Sequence, residues 1–354
     1  MAESTEAIKK HDLSGSLKPK ISVAICTYNR AERLVLALDG ISRQSLPRKY
    51  FEIIVVDNAS TDNTQATCTR YQKDLPNLRY IYEPVQGLSK ARNTAMQSSH
   101  GQYIAYLDDD AIPCSDWLET ILETFENLKP KPVCVGGPIY PLWESPKPDW
   151  IGKDLEYLFS LLDFSDKPHW LKLPKYPFGA NMAFQRDILS QAGGFAQELG
   201  RLGSQHLLSG EEYRLYRILI EHGLGLLYYH PQASVEHCIS PQRINLKWML
   251  ERSYWQGRSI AVGASLNGKT LAQEWWQILG GAIKHRKPLV QVLNLLRTWS
   301  KPKARTNALV QMMQSWGYLS QVWLYSTTWK FSPVQAQSHL SASGSSLVKH
   351  STNS

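Results

Sequence analysis

The chain has 354 residues, 43% hydrophobic and 20% charged, which is the composition of a folded protein rather than a disordered or fibrous one. Net charge is +8, but residues 271–354 hold nine Lys or Arg against one acid, so the basic character belongs to the C-terminal end. No apolar run approaches the roughly 18 residues that cross a bilayer, and the first twenty residues lack the apolar core of a secretory signal.

Residues 1–20 read as a disordered leader. ISVAIC (21–26) is a short apolar, β-branched run and predicts a buried strand. A helix through 32–44 follows, with Asn29 as a candidate cap. FEIIVVDN (51–58) is the second strand and 61–74 the second helix. LRYIYE (78–83), a short helix from Leu88, and QYIAYL (102–107) come next. A helix over 115–128 has Ser115 or Asp116 as N-cap, and PVCVGG (132–137) is strand five. Strands alternating with helices imply βαβ units and a mainly parallel sheet. Strands apolar throughout imply a sheet covered on both faces.

Residues 138–177 are rich in Pro and Trp and read as a long loop or lid. Gly179-Ala180-Asn181 reads as a small-residue turn before a helix at 186–191. Residues 210–223 form a helix that Gly223 ends, with strands in 224–230 and 233–237. From 245 the pattern is helical. Leu289, Val292, Leu293 and Leu296 make one apolar face; Leu309, Met312, Met313, Trp316, Leu319 and Trp323 make a second. Such stripes beside basic residues suit either a helix in a membrane interface or a helical subdomain packed on the catalytic domain. Residues 335–354 are Ser- and His-rich and read as a disordered tail. Cys26, Cys68, Cys114, Cys134 and Cys238 are odd in number and widely spaced, which fits a reducing cytoplasm rather than a disulfide framework.

In open α/β sheets ligands bind beyond the carboxyl ends of the strands. Here those ends carry Thr27-Tyr28-Asn29-Arg30, Asp57, Glu83 and Asp108-Asp109-Asp110. Three adjacent carboxylates repel one another unless a divalent cation such as Mg2+ or Mn2+ neutralises them; a solvated acidic turn is the plainer reading. Asp57 offers acceptors for a base or ribose, or caps the next helix. His237 is a candidate third metal ligand or an ordinary structural histidine. Glu211-Glu212 opens a helix, where a carboxylate is rigidly held; either a general base or simple N-terminal charge pairing explains the pair. Gly179, Ala180 and Asn181 let a sugar ring approach the backbone, or form a plain turn. One of Arg243, Arg252 and Arg258 suits a diphosphate, unless they are solvated helix charges.

SVAICTYNR, VVDNASTDNT, GLSKARNTAM and YIAYLDDD occur in order, followed by FGANMAF, GGF and SGEEYRLYRILIEHG. Together, from about Ile21 to His237, they resemble the inverting family 2 glycosyltransferases of the bacterial polysaccharide-biosynthesis type. The resemblance implies a GT-A fold: a Rossmann-like, mainly parallel central sheet flanked by helices, here with a C-terminal helical extension. It implies a catalytic domain at 21–244, divided into a nucleotide-binding half (21–137) and an acceptor half (138–244), and an extension at 245–334. Thr27, Tyr28, Asn29, Arg30, Asp57, Arg92 and Asp108 would border the nucleotide. Asp108 and Asp110 would hold a divalent metal, for which His237 is the candidate third ligand named above on its own chemistry, and Asp109 would fill the variable middle place. Glu211-Glu212 stands where the family commonly has Glu-Asp, and position favours Glu212 as base. Gly179, Ala180 and Asn181 would form the acceptor and sugar pocket.

The implied reaction moves a sugar from a nucleotide-diphosphate donor, first among them a UDP-sugar, to a hydroxyl of a glycan or lipid-linked acceptor, with inversion. The expected setting is exopolysaccharide or surface-glycan assembly, cytoplasmic or peripheral at the inner face of the membrane. A sugar-nucleotide nucleotidyltransferase would share the sheet and the carboxylates, yet CTYNRAERL lacks the Gly-rich basic loop such enzymes carry after strand one. A catalytically inactive sugar- or nucleotide-binding protein on the same fold is the other alternative. A processive synthase would show a Gln-x-x-Arg-Trp motif. Nucleic acid is not an expected partner: there is no zinc finger, RNA-recognition pattern or long Lys/Arg block.

Overall fold

The computed structural model describes residues 18–202, 207–266 and 295–328. The disordered segments expected at 1–20 and 335–354 lie outside these residues except for 18–20, as do Leu289, Val292 and Leu293 of the first apolar face.

An eight-stranded sheet runs in the order β3-β2-β1-β4-β9-β6-β10-β8. Its first half is β1 (Ile21–Thr27), β2 (Phe51–Asp57), β3 (Leu78–Tyr82) and β4 (Tyr103–Asp108), all mutually parallel. The residues of β2 are all buried, as burial on both faces requires. Helices α1 (Ala31–Ser42), α2 (Thr64–Tyr71), α3 (Leu88–Ser98) and α4 (Trp117–Asn127) supply the covering faces.

The register decides what meets at the carboxyl edge. Thr27 pairs with Asp57 and Cys26 with Asp108, so β1, β2 and β4 end level with one another. Asn29 does not cap α1. Asp62 accepts the Ala31 N–H at 2.9 Å, while Asn29 sits at φ 52° with its Oδ1 accepting the Thr61 N–H at 2.7 Å.

Two strands that bring residues to the site, and two more within the 138–177 segment, carry no pattern in the sequence. Asn181 opens β9 (Asn181–Gln185), which lies antiparallel between β4 and β6 (Cys134–Gly136). Because Leu107 pairs with Asn181, the Phe178-Gly179-Ala180 segment arrives at the same edge as Asp108. The other is β5 (Ala111–Pro113), which pairs with β11 (Val235–Ile239); β7 (Ile139–Trp143) completes this small sheet. The 138–177 segment is thus more ordered than a loop, adding a short 3-10 helix at Lys153–Phe159 and β8 (His169–Leu171), the edge strand beside β10 (Leu227–Tyr229).

Helices α5 (Arg186–Gln191), α6 (Glu211–Glu221), α7 (Leu246–Ser265) and α8 (Pro302–Thr328) follow. Asn245 caps α7 by accepting the Trp248 N–H at 2.9 Å. α7 and α8 cross at two glycines. A Cβ on Gly257 would stand 1.9 Å from the Gln314 carbonyl oxygen, and one on Gly317 1.8 Å from that of Tyr254. The extension therefore packs helix on helix, while Trp316, Leu319 and Trp323 remain exposed on α8. No helix among the described residues is long and apolar enough to cross a membrane.

Candidate active site

A cavity of about 240 Å³ opens at the carboxyl edge of the sheet. Thr27, Tyr28 and Arg30 line it after β1, Asp108 and Asp109 after β4, and Gly179 and Ala180 before β9. Glu211 and Glu212 enter from the first turn of α6, and Arg92 from α3. Tyr157 and Tyr176 reach in from the 138–177 segment.

Arg92 links the two sides. Only 3% of its side chain is exposed; Nη1 lies 2.7 Å from Glu211 and 3.4 Å from Glu212, and Nη2 lies 3.8 Å from Asp108. Burial favours releasing its proton, but Glu212, Glu211 and Asp108 outweigh burial and hold the guanidinium charged. Gly179 is a spatial requirement here: a Cβ would stand 2.2 Å from Arg92 Nη2 and 2.6 Å from Glu212 Oε1.

The two glutamates differ. Glu211 is 2% exposed, and among the described residues its Oε2 has no hydrogen-bond partner. Burial and the charge of Glu212, opposed by Arg92, push its carboxyl up from 4.5 to about 7. The side chain of Glu212 is 17% exposed and is the better placed of the two to meet a ligand.

Asp108, Asp110 and His237 offer ligand atoms within 4.8 Å of one another. The small sheet creates this group: His237 pairs with Ala111, and the Cys238 N–H reaches the Asp110 carbonyl at 2.9 Å. His237 Nδ1 lies 2.9 Å from the Phe159 carbonyl. A carbonyl only accepts, so Nδ1 carries hydrogen. Nε2 then faces Asp110 Oδ1 at 3.0 Å. Two acceptors that close need a proton or a cation beside them, and two carboxylates with an imidazole oriented by a carbonyl suit a divalent transition metal. Arg30 also serves these acids, lying 2.6 Å from Asp109 and 2.5 Å from Asp110. Burial pushes the Asp109 carboxyl up to about 7 against the field of Arg30. Asp109 also accepts the Thr27 hydroxyl at 2.8 Å, so the middle acid of the trio is a buttress.

Five expected site residues do not line the cavity: Asp110 and His237 are buried beside Asp108, and three others serve the scaffold. Asp57 is 2% exposed and accepts the Ser60 N–H at 2.8 Å and the Tyr80 hydroxyl at 2.7 Å, which holds the loop after β2 in place. Asn29, as above, staples that loop to the end of β1. Asn181 is fully buried: its Oδ1 accepts the Trp117 indole N–H at 2.9 Å, and its Nδ2 donates to the carbonyls of Pro138 and Ala233. Its side chain ties α4 to two loops and does not face a sugar. Arg258 turns away to Gln321 on α8 at 2.8 Å. Conversely, Arg201 and Tyr176 line the cavity although nothing in the sequence singled them out; both sit in irregular segments without a pattern to read.

The profile of glycosyl transferase family 2 matches residues 22–191. The chain is 28% identical over 249 residues to a glucosyl-dolichyl phosphate glucuronosyltransferase of Haloferax volcanii, a stretch covering 69% of this chain and 77% of the relative. It is 27% identical over 267 residues to the succinoglycan biosynthesis protein ExoM of Rhizobium meliloti, covering 74% and 81%. Among solved structures it is similar in fold, at TM-score 0.59 and 20% identity, to the mannosyltransferase PcManGT of Pyrobaculum calidifontis in complex with GDP-Man and Mn2+, with 91% of this chain and 93% of that one covered.

Proposed function

We propose that this chain, which belongs to glycosyl transferase family 2 and has the GT-A fold, transfers a sugar from a nucleoside-diphosphate sugar, a UDP-sugar by preference, to an acceptor hydroxyl with inversion. The observation that carries this reading is the bridge through Arg92, which sets the partly exposed Glu212 across one cavity from the Asp108 edge. Glu212 is the general base that takes the proton of the attacking hydroxyl, and a single displacement activated in this way inverts the anomeric carbon. Arg92 holds Glu212 in position. Glu211, largely enclosed, orients Arg92.

Asp108, Asp110 and His237 are the residues that would hold a divalent metal, Mn2+ or Mg2+. Such a metal supplies positive charge opposite the departing diphosphate. Thr27, Tyr28 and Arg30 border the nucleotide, while Asp57 and Asn29 act by fixing the loop behind it. Gly179 and Ala180 shape the sugar side. We assign residues 21–244 to the catalytic domain and 245–334 to the extension.

Relatives named for dolichyl-phosphate and succinoglycan chemistry support surface-glycan or exopolysaccharide assembly as the setting. Exposed Trp316 and Leu319 on α8, and exposed Lys301 and Lys303 at its N-terminal end, support contact of the extension with the inner face of a membrane. Salt-sensitive pelleting with anionic vesicles, lost on Trp316→Ser with Leu319→Ser, is the expected result; no pelleting would remove the membrane from the reading.

The test of the enzyme reading is calorimetric titration of UDP, GDP, dTDP and CMP with and without Mn2+. Metal-dependent binding of one nucleoside diphosphate, lost in Asp110→Ala, is expected. Absence of binding to any of them by folded protein would sink the proposal.

A further inference from the structure

The acids lining the cavity have their counter-charges. Asp109 is paired to Arg30, and Asp108, Glu211 and Glu212 to Arg92. Two further arginines face the same space, Arg201 and Arg252, and neither makes an ion pair among the described residues. Arg252, on α7, is 8% exposed. Among the described residues its Nε has no partner, and its side chain makes one hydrogen bond, a long 3.3 Å contact from Nη1 to the Leu207 carbonyl. A guanidinium so enclosed and so poorly matched is costly unless an anion joins it. Burial, then repulsion from Arg201 and Arg243, pulls its pKa down to about 10.

The neighbouring charges distinguish two roles. Arg243 lies 3.8 Å from Asp110 and is acted on by Asp110, Arg201, Arg30 and Asp108, so it belongs to the metal and diphosphate side. Arg252 reaches the Leu207 carbonyl, in the segment that leads into α6, and lines the cavity with Ser209, Gly210, Glu211 and Glu212, so it belongs to the side of the base, where an acceptor hydroxyl must sit.

We infer that Arg252 and Arg201 form a second anion subsite, separate from the donor diphosphate, which takes a phosphate or carboxylate carried by the acceptor. The inference rests on the reading of Glu212 as the base. It makes the acceptor an anionic glycan or a phosphate-linked sugar rather than a neutral one, and two guanidinium forks suit either anion.

The experiment uses the full chain saturated with Mn2+ and the nucleoside diphosphate it selects, titrated with glucose 1-phosphate, glucuronate and methyl glucoside. At least one charged probe is expected to bind no less than tenfold tighter than the neutral glycoside, and which one does identifies the anion. Arg252→Gln and Arg201→Gln should each weaken that probe about 10- to 100-fold, the scale of one charged hydrogen bond, and move nucleotide affinity less than about twofold. Arg252→Lys should recover part of the loss, separating a lost charge from a lost fold. Equal binding of charged and neutral probes, no binding of any probe, or an equal loss of nucleotide affinity in the Gln variants would overturn the subsite. Repeating the titration without nucleotide keeps the tests distinct: absent nucleotide binding counts against the enzyme reading, absent discrimination by charge against the subsite.

Discussion

The two walls of the cavity are built on different principles. On the donor wall the polar groups are satisfied by the protein itself: Asp57 by Ser60 and Tyr80, Asp109 by Thr27 and Arg30, and Asn58 by the Val85 carbonyl and the Gly87 N–H. On the acceptor wall, groups equally buried lack partners among the described residues, namely Glu211 Oε2 and Arg252 Nε. A satisfied wall is a rigid scaffold that presents a few selected groups. A wall with unpaired charge stores unfavourable energy that a ligand relieves, so specificity is concentrated there. Substitutions on the two walls should therefore fail differently, by lost stability on one side and lost chemistry on the other.

The largest expected effect lies on the acceptor wall. Glu212→Gln keeps shape and removes the proton acceptor, so kcat should fall by about 10²- to 10⁴-fold, the range for a general base. Binding of nucleoside diphosphate should stay within about twofold, because the edge made by Asp108 and Thr27 is untouched. Single-turnover rates beside calorimetry measure both. A variant as fast as the parent would move the base to another residue and blur the contrast between the walls.

Next in size is Asn181→Ala, on the scaffold side. The substitution strands the Trp117 N–H and the Ala233 carbonyl, both tied to this one buried amide, and removes one of the two donors to the Pro138 carbonyl, which keeps the Val235 N–H. Two orphaned groups imply about 2–4 kcal/mol of lost stability, read as a lower urea midpoint. Protein that remains folded should bind nucleotide normally. If stability held and acceptor turnover fell instead, Asn181 would be a pocket residue after all.

The same contrast explains what the sequence made legible. The donor wall is local: each strand is an apolar run, each site residue follows within three positions, and the helices carry their own periodicity. Hence β1 to β4, and the acidic trio with Asp108 and Asp110 at the end of β4, could be placed by reading along the chain, whereas Arg92 entered only through the family resemblance. What failed was the direction of side chains. Asp57 and Asn29 stand at strand ends but turn into the loop, because two neighbouring backbone N–H groups and the Tyr80 hydroxyl needed acceptors. Asn181 read as a turn because strand β9 is only five residues long, and its antiparallel place between β4 and β6 is a tertiary fact. The acceptor wall gathers Gly179, α6, α7 and Arg201 across long separations. Of these, only the Glu pair had a local signature.

The smallest effect is a pH signature that separates one acid on each side of the molecule. Glu52, outside the cavity, is pressed upward by burial, but the His100 N–H, the Ser22 hydroxyl and Arg79 outweigh burial and leave its carboxyl below the ordinary value. Its contribution to stability is present at neutral pH and fades as pH falls. Glu211 has the opposite sign. Its carboxyl is raised from 4.5 to about 7, so between those values the folded state holds a proton that the unfolded chain has lost. Its contribution is therefore full below about pH 4.5, declines as pH rises toward 7, and is flat beyond. Glu211→Gln cannot ionise and lacks this decline. The difference in melting temperature, variant minus parent, should climb between pH 4.5 and 7 and then level, whatever constant offset comes from the altered contact with Arg92. A difference that does not vary with pH would mean that Glu211 stays ionised throughout, matched by Arg92 as fully as the donor-wall acids are matched by their own partners.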